Sequence, residues 1–334
     1  MTFALETPAA DTARLAPGRP NAWSIIGADV SAAKSAREAL DMGHMRGWNV
    51  RLWNDTQVTH VDESGVTTLK MDDTRAVVRT NPLDGKAEYM GGVGKKYTPV
   101  QIEDHEDILD MLRTESGATF HKAGVYGKNG SRYFISMTLP SVVRIGGVDD
   151  HQMHLTLFGS HNGRSSNSFH IGPTRADCGN MQRLIIKGAE HSYSIPHTAS
   201  APVKLAEVHA ALDTLLDWQN AFEREAERLL NTPLTLGQFE TVAHRVFETP
   251  AMPGKTQQKN IAARMATLRT LFEVAATQEN IRGTAWAGWN AIGEYLDHFG
   301  RSNVSLRAAN SLSDSGSITK RKTVAYQELL GLAA

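Results

Sequence analysis

Gly127-Lys128-Asn129-Gly130-Ser131 is the stretch whose reading decides the fold. Asparagine and glycine both tolerate positive φ, so Asn129-Gly130 predicts a tight hairpin turn. Its flanks agree, because Ala118 to Tyr126 and Arg132 to Leu139 are both strand-like runs. Working outward, Gln152 to Phe158 and Asn167 to Ile171 form a second strand pair around Asn162-Gly163. Upstream, Arg75 to Arg79 and Ala87 to Gly91 are joined across Asn81-Pro82-Leu83-Asp84-Gly85, a turn by its Pro, Asp and Gly. The middle of the chain is therefore expected to be an antiparallel β-meander. One helix is inserted, Val100 to Leu112, with Ile102, Ile108, Leu109 and Leu112 on its apolar side and five acids facing water. A shorter helix, Ser31 to Met42 with Ser31 as its cap, comes first.

The period changes near residue 200. Val203 to Leu230 predicts a long helix, and Thr235 to Phe247, Gln257 to Ala276 and Thr284 to Phe299 repeat helical spacing, broken by Thr249-Pro250-Ala251-Met252-Pro253-Gly254. Strands followed by helices imply an α+β protein: a central antiparallel meander sheet with an inserted helix, then a C-terminal helical part. The expected division is a flexible arm over 1–22, an α+β core over 23–200 and a helical domain over 201–334. No repeat at solenoid spacing is present.

Composition narrows the classes. No apolar run reaches the roughly 18 residues that span a bilayer, and Met1 to Pro20 lacks the charged and apolar regions of a secretory signal. Cys178 is the single cysteine, which excludes an internal disulfide framework and suits a reducing cytoplasm. A cytoplasmic protein with no membrane partner is expected. Net charge is −1 but uneven. Residues 201–254 hold 4 basic and 8 acidic side chains (−4), and residues 255–334 hold 10 and 6 (+4). Dedicated duplex-DNA binders show a stronger basic excess, so the pattern permits a local nucleic-acid groove without demanding one.

Two familiar phosphate motifs are excluded. There is no Gly-x-x-x-x-Gly-Lys-Ser/Thr loop, and Gly91-Gly92-Val93-Gly94-Lys95-Lys96 precedes Tyr97-Thr98-Pro99 rather than opening a helix, so it is no dinucleotide fingerprint. A bulged strand accounts for these glycines. Lys95, Lys96 and Tyr97 nevertheless set two cations beside an aromatic ring, suited to gripping a phosphate backbone and stacking a base. One cysteine is too few for a zinc finger or ribbon.

Small polar groups are densest from Gly159 to Asn180. Ser160, His161, Asn162 and Gly163 suit a turn held by side-chain bonds to backbone. Such a turn does not need His161, Arg164, Ser165 and Ser166 together. The functional alternative is an anion site, in which Arg164 and the hydroxyls meet phosphate oxygens and Arg175 adds a bidentate fork. Cys178-Gly179-Asn180 would open a helix, Met181 to Gly188, whose first amides also favour an anion. Cys178 reads as a packing residue or a nucleophile. Near the C-terminus, Asn290, Glu294 and Asp297 or His298 share a helix face. Glu294, Asp297 and His298 with His161 would make a divalent-metal site, or a polar seam between helix and sheet. Thr319-Lys320-Arg321-Lys322-Thr323 is a short basic cluster before the last helix, a phosphate contact or a solvated cap.

The residues also carry a family resemblance. Val93-Gly94-Lys95-Lys96-Tyr97-Thr98-Pro99-Val100-Gln101, Ala123-Gly124, Ser160-His161-Asn162-Gly163 with Pro173, Arg175, Cys178 and Asn180, and Asn290-Ala291 with Glu294-Tyr295 and Asp297-His298 occur in this order. In these the chain resembles the phage/plasmid-like proteins of domain of unknown function 932. The usual element there is Ser-His-Asp-Gly, and here Asn162 replaces the aspartate. The resemblance implies a role on a mobile element and no particular reaction. Combined with the strand-helix order, it leads to an expectation of a nucleic-acid-handling protein that binds or anneals single-stranded DNA in replication or recombination. It would use Lys95, Lys96, Tyr97, Ser160, His161, Asn162, Arg164, Ser165, Ser166, Arg175 and Asn180, need no cofactor and self-associate. Two alternatives stand beside it: a metal-dependent hydrolase or nuclease, and a module that blocks a host factor.

Overall fold

The structure is a computed structural model, and it describes residues 20–175, 192–194, 205–300, 303–313 and 316–333. The expected arm up to residue 19, the expected helix Met181 to Gly188, Cys178 and Asn180 lie outside the described residues. The fold is α+β, as the residue periods imply. Ahead of the main sheet come α1 (Ala22–Ile26), β1 (Ala28–Asp29), α2 (Ala36–Met42), β2 (Arg51–Trp53), β3 (Gln57–Asp62), β4 (Gly65–Lys70), β5 (Thr74–Thr80), β6 (Ala87–Gly94) and α3 (Glu106–Ser116). The sheet strands β7 (Thr119–Tyr126), β8 (Arg132–Ile145), β9 (Asp149–Ser160), β10 (Ser168–Arg175) and β11 (Ser192–Ser194) follow. The helical part is α4 (Leu205–Leu230), α5 (Leu236–Val246), α6 (Lys255–Glu273), α7 (Ala285–His298), α8 (Val304–Ser311) and α9 (Ser317–Leu332).

The main sheet has the order β1-β7-β8-β9-β10-β11, each pair antiparallel. The Asn129-Gly130 turn joins β7 to β8 with φ of 51° and 67° at its two centres, as the dipeptide demands. Strands β2, β5 and β6 make a second sheet, and β3 and β4 a separate hairpin that is exposed along its whole length. In β6 the register slips opposite Val77 and Val78, so Met90 is an extra residue beside Gly91, and the glycine run is indeed a bulged strand.

Alternation along the strands decides which side each residue faces. On β9, His151, Met153, Leu155 and Leu157 share one side with Ile135 and Met137 of β8 and Phe169 and Ile171 of β10. This side packs against the helical part. Trp218, Phe222, Ala226 and Leu229 form the buried stripe of α4, and α7 is buried nearly all round, so one continuous apolar core joins sheet and helices. The other side of the sheet meets α1 and α8 through Trp23, Phe134, Phe158, Ala308 and Leu312.

Several boundaries differ from expectation: β8 runs to Ile145 and β10 to Arg175, past the expected Leu139 and Ile171, and α1, capped by Asn21, begins inside the expected arm over 1–22. The first longer helix begins at Ala36, with Ser35 accepting from the Glu38 amide; Ser31 instead donates to Asp29. The inserted helix is a 3-10 turn over Glu103–His105 that continues as α3 to Ser116, ended by Gly117 in the left-handed region. No described helix is long and apolar enough to cross a membrane.

Candidate functional site

The turn between β9 and β10 is built by Asn162. Its Oδ1 accepts from Ser160 Oγ at 2.6 Å and from the Arg164 amide at 3.1 Å, while its Nδ2 donates to Ser131 Oγ at 3.3 Å. The turn is thereby tied to the neighbouring β7–β8 turn, an attachment strengthened by the His161 amide donating to the Ser131 carbonyl. It also presses on β6. A Cβ on Gly91 would lie 2.9 Å from the Asn162 Cβ, and one on Gly163, at φ 71°, would lie 2.8 Å from a Val93 methyl. The Asn129 side chain completes the assembly by donating to the Tyr89 carbonyl at 2.7 Å. Both hairpin turns and β6 thus converge at one end of the sheet.

Across from them stands α8, and a cleft of about 530 Å³ lies between. Tyr89 to Gly92, Tyr126 to Lys128, Ser131, Arg132, Asn162 and Arg164 line one wall, and Leu306, Ala309, Asn310, Ser313 and Gly316 the other. Arg132 spans the two, its Nη1 donating to Ser313 Oγ at 2.7 Å. Among the described residues the lining holds three cations, Lys128, Arg132 and Arg164, and no aspartate or glutamate. Arg164 is exposed, and Lys128 sits 5.5 Å from the centre of the Tyr89 ring, which is 46% exposed. Cations without carboxylates beside an open aromatic face favour a planar group carrying phosphate.

The residues singled out in the sequence divide. Ser160, Asn162 and Arg164 build or line this end of the sheet, and Ser165 and Ser166 are exposed just beyond it. Lys95 and Lys96 follow Val93 at the end of β6, where Lys95 pairs with Asp73 at 2.8 Å. Tyr97 is a correction: its half-buried ring packs on the main core, and burial raises its hydroxyl pKa, so the ring open at the cleft is that of Tyr89. Arg175 is a second correction. It is wholly buried, its Nε bonded to Asp149 at 2.5 Å and its Nη1 to the Thr277 carbonyl, at the end of the sheet away from the cleft. Asp149 also takes bonds from Trp286 Nε1 at 2.6 Å and from His151 Nε2 at 2.9 Å. Burial opposes its charge, but His151, Arg175 and Trp286 together outweigh that and hold its carboxyl below the usual range. His161 is buried behind the turn, between Trp48 and Tyr133. Burial first, then His105 and Arg79, drive its pKa down to about 4, and its Nε2 has no hydrogen-bond partner among the described residues.

The proposed metal-ligand set does not assemble. His161 follows the last residue of β9, whereas Glu294 accepts from Thr277 Oγ1 at 2.7 Å and Gln278 Nε2 at 3.2 Å, beside Arg175 at the far end. Arg175 pairs with His151, ten residues from His161 and hence on the order of 30 Å along the strand. Asp297 is held by Lys322 at 2.6 Å and Ser311 at 2.9 Å. Among the described residues no three His, Cys, Asp or Glu side chains converge as a metal site. The expected seam does join helix to sheet, but through Arg175, Asp149 and Trp286 and not through His161.

Lys128, Arg132, Tyr89 and Tyr126 are site residues that pattern reading missed. Two of them flank the Asn129-Gly130 turn, so the signal was a hairpin tip bracketed by cations. The α8 wall carries no such signal.

Fold and site together define an α+β protein with a basic cleft between a meander sheet and a C-terminal helical part. The chain belongs to the family described as Domain of unknown function (DUF932), whose model matches residues 89–326. No curated protein and no solved structure matches the chain.

Proposed function

We propose that this cleft binds the backbone of single-stranded DNA, and that the chain handles nucleic acid in replication or recombination. The carrying observation is the lining: Lys128, Arg132 and Arg164 face a cleft with no carboxylate among the described residues that line it. The exposed Tyr89 ring supports a strand over a duplex, because stacking needs an unpaired base. Strand annealing also requires copies of the chain to assemble, and self-association is part of the proposal. The β3–β4 hairpin supports it, since a lone two-stranded hairpin is marginal in water and this one leaves Val58, Val61, Val66 and Leu69 uncovered. The finer family reading, a protein of a phage or plasmid working in the cytoplasm, is part of the same proposal and rests on the motif resemblance.

The test is fluorescence anisotropy with single- and double-stranded oligonucleotides at two salt concentrations, with light scattering on the same mixtures. Wild type should prefer the single strand, and Lys128→Gln with Arg164→Gln should weaken binding across sequences. Removing two phosphate contacts should flatten the salt slope by about 1.4. An unchanged slope would remove the cleft from the interface, and a strict monomer with and without DNA would leave binding without annealing.

A further inference from the structure

The helical part holds two guanidiniums that face one aromatic ring. The Arg264 guanidinium carbon lies 4.4 Å from the centre of the Phe247 ring, and that of Arg321 lies 5.6 Å from it. Phe247 ends α5, Arg264 is midway along α6 and Arg321 is in the second turn of α9. Tyr295 of α7 meets Phe247 edge-on, with ring centres 5.5 Å apart. Four elements therefore converge where two like charges are held together.

Nothing among the described residues neutralises them. The neighbouring arginines each have a carboxylate, Arg245 with Glu328 and Arg269 with Glu240. Arg264 and Arg321 have none, and Glu248, next to Phe247 in the chain, is exposed and pairs with neither. The Nε–H of Arg264 is buried without an acceptor. Buried donors in folded proteins almost always have partners. Burial first, and the Arg321 charge after it, disfavour the charged form of Arg264 and outweigh the favourable Tyr295 beside it. The geometry is that of a site lacking its acceptor.

We propose that Arg264 and Arg321 form a second anion site, separate from the cleft, that takes a phosphate group against the apolar wall of Phe247 and Tyr295. A carboxylate is planar and its two oxygens suit one guanidinium fork, whereas the tetrahedral oxygens of a phosphate, three in a terminal group and two in a backbone diester, point apart and can meet two guanidiniums. The phosphate has two possible sources, a free nucleotide or a nucleic-acid backbone. Arg321 is five residues from Gly316 on the cleft wall, roughly 7.5 Å along the helix axis, and a backbone source requires a strand leaving the cleft to cover that rise.

The experiment is calorimetric titration of the full chain with inorganic pyrophosphate. Arg264→Gln with Arg321→Gln should weaken binding about tenfold or more, while Lys259→Gln, at an exposed position of the same helix α6, leaves it within about twofold. Circular dichroism checks each fold, and Arg321→Gln alone, at a half-exposed position, serves if the double variant does not fold. No binding by wild type, or equal binding by the arginine variants, would overturn the site. Full loss in Lys128→Gln with Arg164→Gln, and none in Arg264→Gln with Arg321→Gln, would place pyrophosphate in the cleft and overturn it equally. Single-stranded oligonucleotides of about 10 and about 30 nucleotides then separate the sources. A backbone source predicts that the arginine variant loses affinity for the longer strand alone. A nucleotide source predicts that both strands bind it as they bind wild type.

Discussion

Arg175 and Arg164 carry the same guanidinium, and their surroundings give them opposite work. Arg164 points from a turn into open space at the cleft, whereas Arg175 holds Asp149 inside the core. Replacing Arg175 by Met leaves a buried carboxylate short of its cation, and breaking such a pair costs about 3–5 kcal/mol. Urea unfolding of Arg175→Met should show a loss of that order while the folded fraction keeps its oligonucleotide affinity. A surface role would give the reverse. The difference between the two arginines was not legible in the chain, because what buries Arg175 comes from Asp149, 26 residues before it, and from Thr277, 102 residues after it. Tyr97 and Tyr89 were indistinguishable for a similar reason: both adjoin the glycine run, and only the path of β6 exposes one and packs the other. Asn162 was legible, since its side chain makes the turn its residue type suggests. An aspartate there would keep the accepting oxygen that binds Ser160 and the Arg164 amide, so its replacement leaves the turn standing.

At the level of elements, the cleft depends on how closely β6 approaches the β9–β10 turn. Gly91 is the contact point, and Gly91→Ala puts a methyl within 2.9 Å of Asn162. The turn must shift, carrying Arg164 with it. Overpacking of this kind costs about 1–3 kcal/mol. Gly91→Ala should therefore weaken oligonucleotide binding several-fold, with a modest loss in thermal unfolding. Unaltered binding would show that the site does not need this register. Elements with local signals were readable, as with α5, where Thr235 and Gln238 cap each other reciprocally. Ser31 and Ser35 are equally good caps by type. Ser35 takes the role because it accepts from the Glu38 amide while the Glu38 carboxylate accepts from the Lys34 amide, and Ser31 is already engaged with Asp29. Periodicity thus located the meander strands from β5 to β10 and the helices α2 to α7, but not the β3–β4 hairpin, α1 or α8. The wall contributed by α8 depends on tertiary docking, for which no spacing rule exists.

For the whole molecule, acid should act through histidines kept neutral inside. His161 is held at about 4 and His154 at about 3, both chiefly by burial, against 6.5 unperturbed. The groups facing His161 are Trp48, Tyr133, His105 and Arg79, and those facing His154 are Trp23, His121 and Thr138, with no carboxylate in either set. Since the unfolded chain binds these protons first, the contribution to stability is complete above about pH 6.5 and falls as pH drops toward the folded values. Between pH 7 and 5, wild type should lose about 2 kcal/mol more than His161→Phe in urea unfolding. Equal losses would mean that His161 is already charged in the fold. Assembly of the cleft has a different consequence at this scale. Its walls meet through Arg132 and Ser313, residues 181 positions apart. Neither half of the chain owns the site, so separating the sheet from the helices should abolish the cleft even where both pieces stay folded, and a fragment that keeps both walls must run at least from Tyr89 to Gly316.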